Sequence, residues 1–223
     1  MNIVKNKKSL VDLLTNTILK SRRDACFIAL IFSFVPYFAS FSGITVALVT
    51  LRKGLKEGFF VAMVVMLPIL AIASYNNQLL LGIEQCLATI GFVWLLAASL
   101  YATRSWSFVL SQTVVVSALV ASLVSFFMPD FIELSKKILI ETLSQWQHQG
   151  LIEYDQTKFD INIKWFAEYL LGVHIAMTAF MTLINLAIAR YMQARIFNPG
   201  GFAKEFLNLR INKFDLLFFV VAM

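Results

Sequence analysis

Two groups of residues have types and spacing suited to chemistry in an apolar setting. Glu84 is an ionisable side chain inside the apolar run 79–103. His174 opens a series in which Thr178, Thr182 and Asn185 follow at intervals of four, four and three. That spacing lays four polar groups along one side of a helix. A carboxylate and an imidazole in the outer half of a bilayer can bind a solute or pass a proton between them. The plainer chemistry is hydrogen bonding between helices, where Thr and Asn hold neighbours together and an acid near an interface bonds a neighbour or reaches water. His148 lies outside the apolar runs, and Cys26 and Cys86 have no CxxC spacing, so neither a metal site nor a disulfide framework is predicted. No Walker A loop, HExxH, GxSxG or pair of intramembrane aspartates occurs, so no cofactor and no enzymatic activity are expected. Arg-rich sensor helices and filter-like glycine runs are also missing, which disfavours a channel.

Positioning such groups falls to membrane-spanning helices, because the composition allows little else. Of the 223 residues, 59% are apolar and 14% are charged, with 21 phenylalanines. Soluble domains hold about 45–50% apolar residues, counted with Gly but without Tyr, and about 25% charged ones. A soluble surface cannot be built from so few charges, and a disordered chain has the opposite composition. The predicted fold class is therefore an all-α polytopic transmembrane bundle whose first partner is the lipid bilayer. Four stretches approach the roughly 20 apolar residues that a span needs. They are 59–74 (extendable from Leu55), 79–103, 107–128 and 165–189.

Residues 25–51 are ambiguous, since Pro36 and Gly43 interrupt them. Charge decides the case. The net charge of +6 would suggest nucleic acid in a soluble protein; here it is read through the positive-inside rule, and no nucleic-acid partner is expected. Six Lys and Arg precede residue 25 and three lie at Arg52, Lys53 and Lys56. A single crossing would place those two groups on opposite sides. A hairpin of two short helices places both inside, and every later loop then alternates. The four basic and six acidic residues of 128–164 fall outside, while Arg104 and the five basic residues from Arg190 to Lys213 fall inside. This reading predicts six passes, a cytoplasmic N-terminus and a bacterial inner-membrane location.

Residues 1–24 form a basic cytoplasmic segment in which Leu10, Leu13, Leu14 and Ile18 suit a helix on the membrane surface. Residues 25–190 form the transmembrane core. Within it, the outer segment 129–164 carries Asp130 and Glu133 as a capping box and an apolar series that runs to Gly150. Residues 191–213 form a basic loop with an Asn198-Pro199-Gly200-Gly201 turn and a short amphipathic helix over 202–210. An apolar run opens at Phe214 and stops at Met223, like the start of a truncated seventh span. Small residues suggest packing faces: Ala88, Gly91, Ala98 and Ala102 in line with Glu84, and Ser107, Ser111, Ala118, Ala121, Ser122 and Ser125 on the next helix. Ala25/Ala29 and Gly54/Gly58 are small-xxx-small pairs suited to a membrane partner protein.

Two motifs carry a resemblance. Leu51-Arg52-Lys53-Gly54-Leu55-Lys56-Glu57-Gly58, after a proline-broken hairpin, resembles the YybS-like family of uncharacterised bacterial membrane proteins. So does the stretch from Asn198-Pro199-Gly200-Gly201 through Phe202-Ala203-Lys204-Glu205-Phe206-Leu207-Asn208-Leu209-Arg210. Members usually continue through further spans. The family is distantly similar to the S components of energy-coupling factor vitamin transporters, which have six helices, an inside N-terminus and an outward pocket. The resemblance implies a solute-binding or transport-related protein, with no ligand class specified. Its site would be bounded by the Pro36–Gly43 turn, the outer loop, Glu84 and His174. The alternative is a non-catalytic cell-envelope scaffold or assembly factor that acts through small-residue faces and basic loops.

Overall fold

The computed structural model describes residues 9–34, 39–127, 131–150, 156–207 and 209, and among these no strand occurs. Pro36, Asp130, Arg210, Lys213 and the apolar run from Phe214 lie outside the described residues. The helices are α1 (Leu10–Lys20), α2 (Arg22–Phe34), α3 (Ala39–Lys53), α4 (Leu55–Tyr75), α5 (Leu79–Cys86), α6 (Phe92–Thr103), α7 (Trp106–Phe127), α8 (Phe131–His148), α9 (Gln156–Phe197) and α10 (Gly201–Leu207). A π-helical turn, Leu87–Gly91, joins α5 to α6. The chain divides into two compact units, one of Met1–Thr113 with Phe180–Met223 and one of Val114–Ala179.

Among the described residues, four helices are long and apolar enough to cross a membrane: Leu55–Tyr75, Gly82–Thr103, Trp106–Phe126 and Tyr169–Phe197. They match the four stretches expected from hydropathy. α2 and α3, with 13 and 15 residues, reach only about 20 Å each, short of a ~30 Å hydrocarbon core. They are nevertheless two helices, and they fold back on each other. Arg22 at the start of α2 binds Glu57, just beyond the end of α3, with Nε 2.7 Å from Oε2.

α3 is the axis of the first unit. Residues 42–51 are all buried, whichever way their side chains point, and its neighbours wrap it on every side. In lipid, such packing rests on close contact rather than on escape from water. α4 runs antiparallel to α3, and Gly58 permits their approach: a Cβ there would fall 2.9 Å from Cα of Thr50. α6 and α9 run parallel to α3. Gly43 lies beside Val93 and Asn185, and eight residues later Leu51 accepts a hydrogen bond from Gln193 Nε2 at 2.8 Å. Farther along, Gly54 lies under Tyr101. The small pairs predicted to meet a partner protein are used within the chain. Ala25 and Ala29 are fully buried, Gly58 packs on Thr50, and Gly54 takes a positive φ of 95° in the turn before α4.

Other boundaries differ from expectation in instructive ways. The amphipathic helix expected in 129–164 is α8, which ends at His148, and Gly150 just past it takes the left-handed region (φ 69°) as the predicted stop. α9, however, begins at Gln156 and runs 42 residues, about 63 Å, so the second half of that segment is helix and not loop. No proline interrupts it until Asn198-Pro199, where the restriction on the residue before proline stops it. The short amphipathic helix past this turn is α10, slightly earlier than 202–210.

Candidate functional site

Two polar regions of the first unit stand out. One is the end of the bundle where α2, α4 and α7 begin and α3, α6 and α9 finish. Three arginines are anchored there by carboxylates. Arg22 binds Glu57; Arg195 Nε lies 2.6 Å from Asp12 Oδ1; Arg190 holds Glu205 in a bidentate pair, with Nε 3.0 Å from Oε2. Trp106 Nε1–H also donates to Glu205 Oε2 at 3.2 Å, and its ring stands edge-on to Phe206 at 5.4 Å. Arg52 lies over the Phe197 ring at 3.8 Å, a cation–π contact. Burial would raise the Glu205 carboxyl, but the Arg190 guanidinium and the Trp106 N–H outweigh it and hold the group below the ordinary carboxylate range. Asp12 is lowered mainly by its hydrogen bond to Arg195, with the Ser9 N–H adding to it.

The second region lies about 12 Å back along α3, eight residues from Leu51. Gly43 there offers a face without a side chain. A Cβ built on it would sit 3.2 Å from Asn185 Nδ2, 3.4 Å from Val93 Cγ2 and 3.7 Å from the Thr89 carbonyl oxygen. Thr89 belongs to the π turn, a feature that recurs at functional sites because it opens the regular backbone ladder. Ser42, Thr45, Thr182 and Asn185 are all buried in this unit. The Asn185 amide of α9 and the Thr89 carbonyl of the π turn thus meet beside Gly43 of α3, in a seam whose polar groups are neutral.

The residues predicted to form a site are distributed unevenly. Along α9, exposure falls from His174, which is exposed, through half-buried Thr178 to buried Thr182 and Asn185. Of these, Asn185 is the one that reaches the seam at Gly43. His174 and Thr178 belong to the second unit and Glu84 to the first. Glu84 is exposed rather than turned inward with its small-residue stripe. Cys86, Ile90, Val93, Leu96, Ala97 and Leu100 supply the buried face. Ala88, Gly91 and Ala98 border it half-buried, with Gly91 against Met66 Cε. That buried face keeps an ordinary helical spacing through the π turn (86, 90, 93, 97, 100), and the small-residue stripe that Glu84 shares lies toward the other side of the same wheel. On α7, Ser111 is half-buried, while Ala118, in the second unit, is exposed.

Several polar groups had no forecast. The Gln112 Oε1 and Ser117 Oγ atoms of α7 are buried without a hydrogen-bond partner. An amide among the apolar residues and small hydroxyls of α7 is the available signal for Gln112. The Glu205–Arg190–Trp106 group joins residues 99 positions apart and has no local signature. Among the described residues, no three His, Cys, Asp or Glu side chains group as a metal site. No family model, curated protein or solved structure matches the chain.

Proposed function

We propose that this membrane protein is a solute-binding or transport-related component of the YybS-like kind, with an S-component-like core of six passes. In this reading α2 and α3 are the first two passes, shielded by their neighbours, and the basic end faces the cytoplasm of a bacterium across its inner membrane. The observation that carries the reading is the seam at Gly43. Polar groups at bilayer depth are costly and by default serve function. Here an amide and a main-chain carbonyl converge on a residue that has no side chain of its own. Without a Walker A loop, energy for transport would come from a membrane partner protein. The scaffold reading remains the alternative, favoured by the tightness of the seam: Asn185 and Val93 already stand at contact distance from Gly43's open face.

The test is a thermal-shift screen of the purified full-length protein against vitamins, metals and nucleobases. A ligand that binds only the native state at 100 times its Kd stabilises by about 2.7 kcal/mol. The solute reading expects at least one such shift, abolished in Asn185→Leu, with Glu84→Gln and His174→Ala reporting whether those exposed groups contribute. No shift from any class moves the assignment to the scaffold.

A further inference from the structure

The basic end holds a cavity of about 320 Å³ lined by Arg104, Ser105, Trp106, Ser107, Lys204 and Glu205, among others. Its charge is asymmetric. Glu205, the acid in the lining, is already bound by Arg190 and Trp106. Arg104 and Lys204 are exposed, and neither has a carboxylate partner among the described residues. The cavity therefore presents two uncompensated cations beside hydroxyl groups. Arg104 is also held in the left-handed region (φ 52°, ψ 23°) as the cap of α6, a conformation that Gly or Asn adopts with less strain. An arginine in such a place is a reason to look for a function.

Depth identifies the occupant. Arg104 and Ser105 lie between Thr103, where one candidate span ends, and Trp106, where the next begins. The cavity is thus at the level where two helices leave the hydrocarbon, the level of lipid headgroups. Exposed Tyr101, Phe108, Phe206 and Leu207 flank it in sequence and offer apolar surface to acyl chains. We propose that Arg104 and Lys204 seat the phosphate of an anionic membrane phospholipid in this cavity. The guanidinium makes forked hydrogen bonds to phosphate oxygens and the ammonium adds a point charge. Selection against a zwitterionic lipid follows because a choline headgroup brings its own cation to a site that already holds two.

The test uses the full-length protein in nonionic detergent, with thermal unfolding followed as lipid is added. Phosphatidylglycerol should raise the midpoint. Phosphatidylcholine with the same acyl chains should not, and neither should inorganic phosphate at equal concentration. Arg104→Gly combined with Lys204→Gln should weaken the phosphatidylglycerol response about tenfold or more in apparent Kd. Glycine suits the left-handed cap, so the first substitution removes the charge without straining the turn. An unchanged midpoint of this variant without lipid separates loss of binding from loss of fold. A variant with a lowered midpoint is replaced by Lys204→Gln alone, for which a weakened response is still expected. Equal responses to the two lipids, or undiminished phosphatidylglycerol binding in the variants, would overturn the proposal. A matching response to inorganic phosphate would overturn the lipid assignment and leave a small-anion site.

Discussion

At the basic end, Asp12, Glu57 and Glu205 each meet an arginine, and aromatic rings pack over the charges. In the seam around Gly43, two helical turns deeper, the polar groups are an amide and a main-chain carbonyl. The contrast follows from solvent. Near water, a charge keeps part of its hydration and an ion pair costs little to form. At bilayer depth an unpaired charge is prohibitive, so polarity there is carried by neutral groups brought together by helix packing. One region therefore fixes the helix ends, and the other keeps polarity available within the core.

Substitutions can break that contrast, beginning where both regions depend on one contact. Gly58→Ala should be the most damaging, because the new Cβ meets the Thr50 backbone and forces α3 from α4; a loss of about 1–3 kcal/mol is expected in thermal or denaturant unfolding. Arg190→Ala should act on the basic end alone, at about 1–2 kcal/mol, since Glu205 is only partly exposed and keeps Trp106 as its one remaining donor. The same pair sets a pH dependence. Glu205 titrates lower when folded than when unfolded, so its contribution is complete above the ordinary carboxylate range and disappears as pH falls through the depressed value. Unfolding midpoints of Glu205→Gln should therefore lose less on acidification than those of the parent protein.

In the seam, Gly43→Ala should cost under about 1 kcal/mol, because Asn185 has to yield only a few tenths of an ångström. Its binding response should nevertheless fall with that of Asn185→Leu. A large loss of stability in Gly43→Ala would instead show that the seam is structural. Arg195→Ala should have the smallest effect, within the scatter of unfolding midpoints, because the Arg195 side chain is 39% exposed against 20% for Arg190. A loss there as large as that of Arg190→Ala would erase the distinction between the more buried and the more exposed arginine.

What could be read in advance follows the same physics. The four spans were legible because hydropathy is summed over about 20 residues and tolerates local error. The α2–α3 hairpin was legible only through charge: Arg52, Lys53 and Lys56 had to share a side with the N-terminal basic residues, although neither helix is long enough to declare itself. Asn185 was legible as part of a polar stripe. Its partner Gly43 was noticed as an interruption of the hairpin rather than as a contact. Thr89 is beyond reach, since the π turn that presents its carbonyl is set by packing and has no local signature. Glu84 is exposed because the small-residue stripe it shares is not the face that packs, which is the larger-residue face at Cys86, Ile90 and Val93. The arginine–carboxylate pairs join residues up to 183 positions apart, and counting charges places them at one end without pairing them.

The central claim is that both ends of the α2–α3 hairpin, the α6–α7 turn and α10 share one face of the membrane. Single cysteines replacing Lys53, Asn77, Arg104 and Lys204, in a background where Cys26 and Cys86 are alanine, test it with a membrane-impermeant thiol reagent on intact cells. The account predicts that Asn77→Cys is labelled at once, whereas the other three are labelled only after permeabilisation. Labelling of Lys53→Cys together with Asn77→Cys in intact cells, with Arg104→Cys and Lys204→Cys still protected, would contradict it.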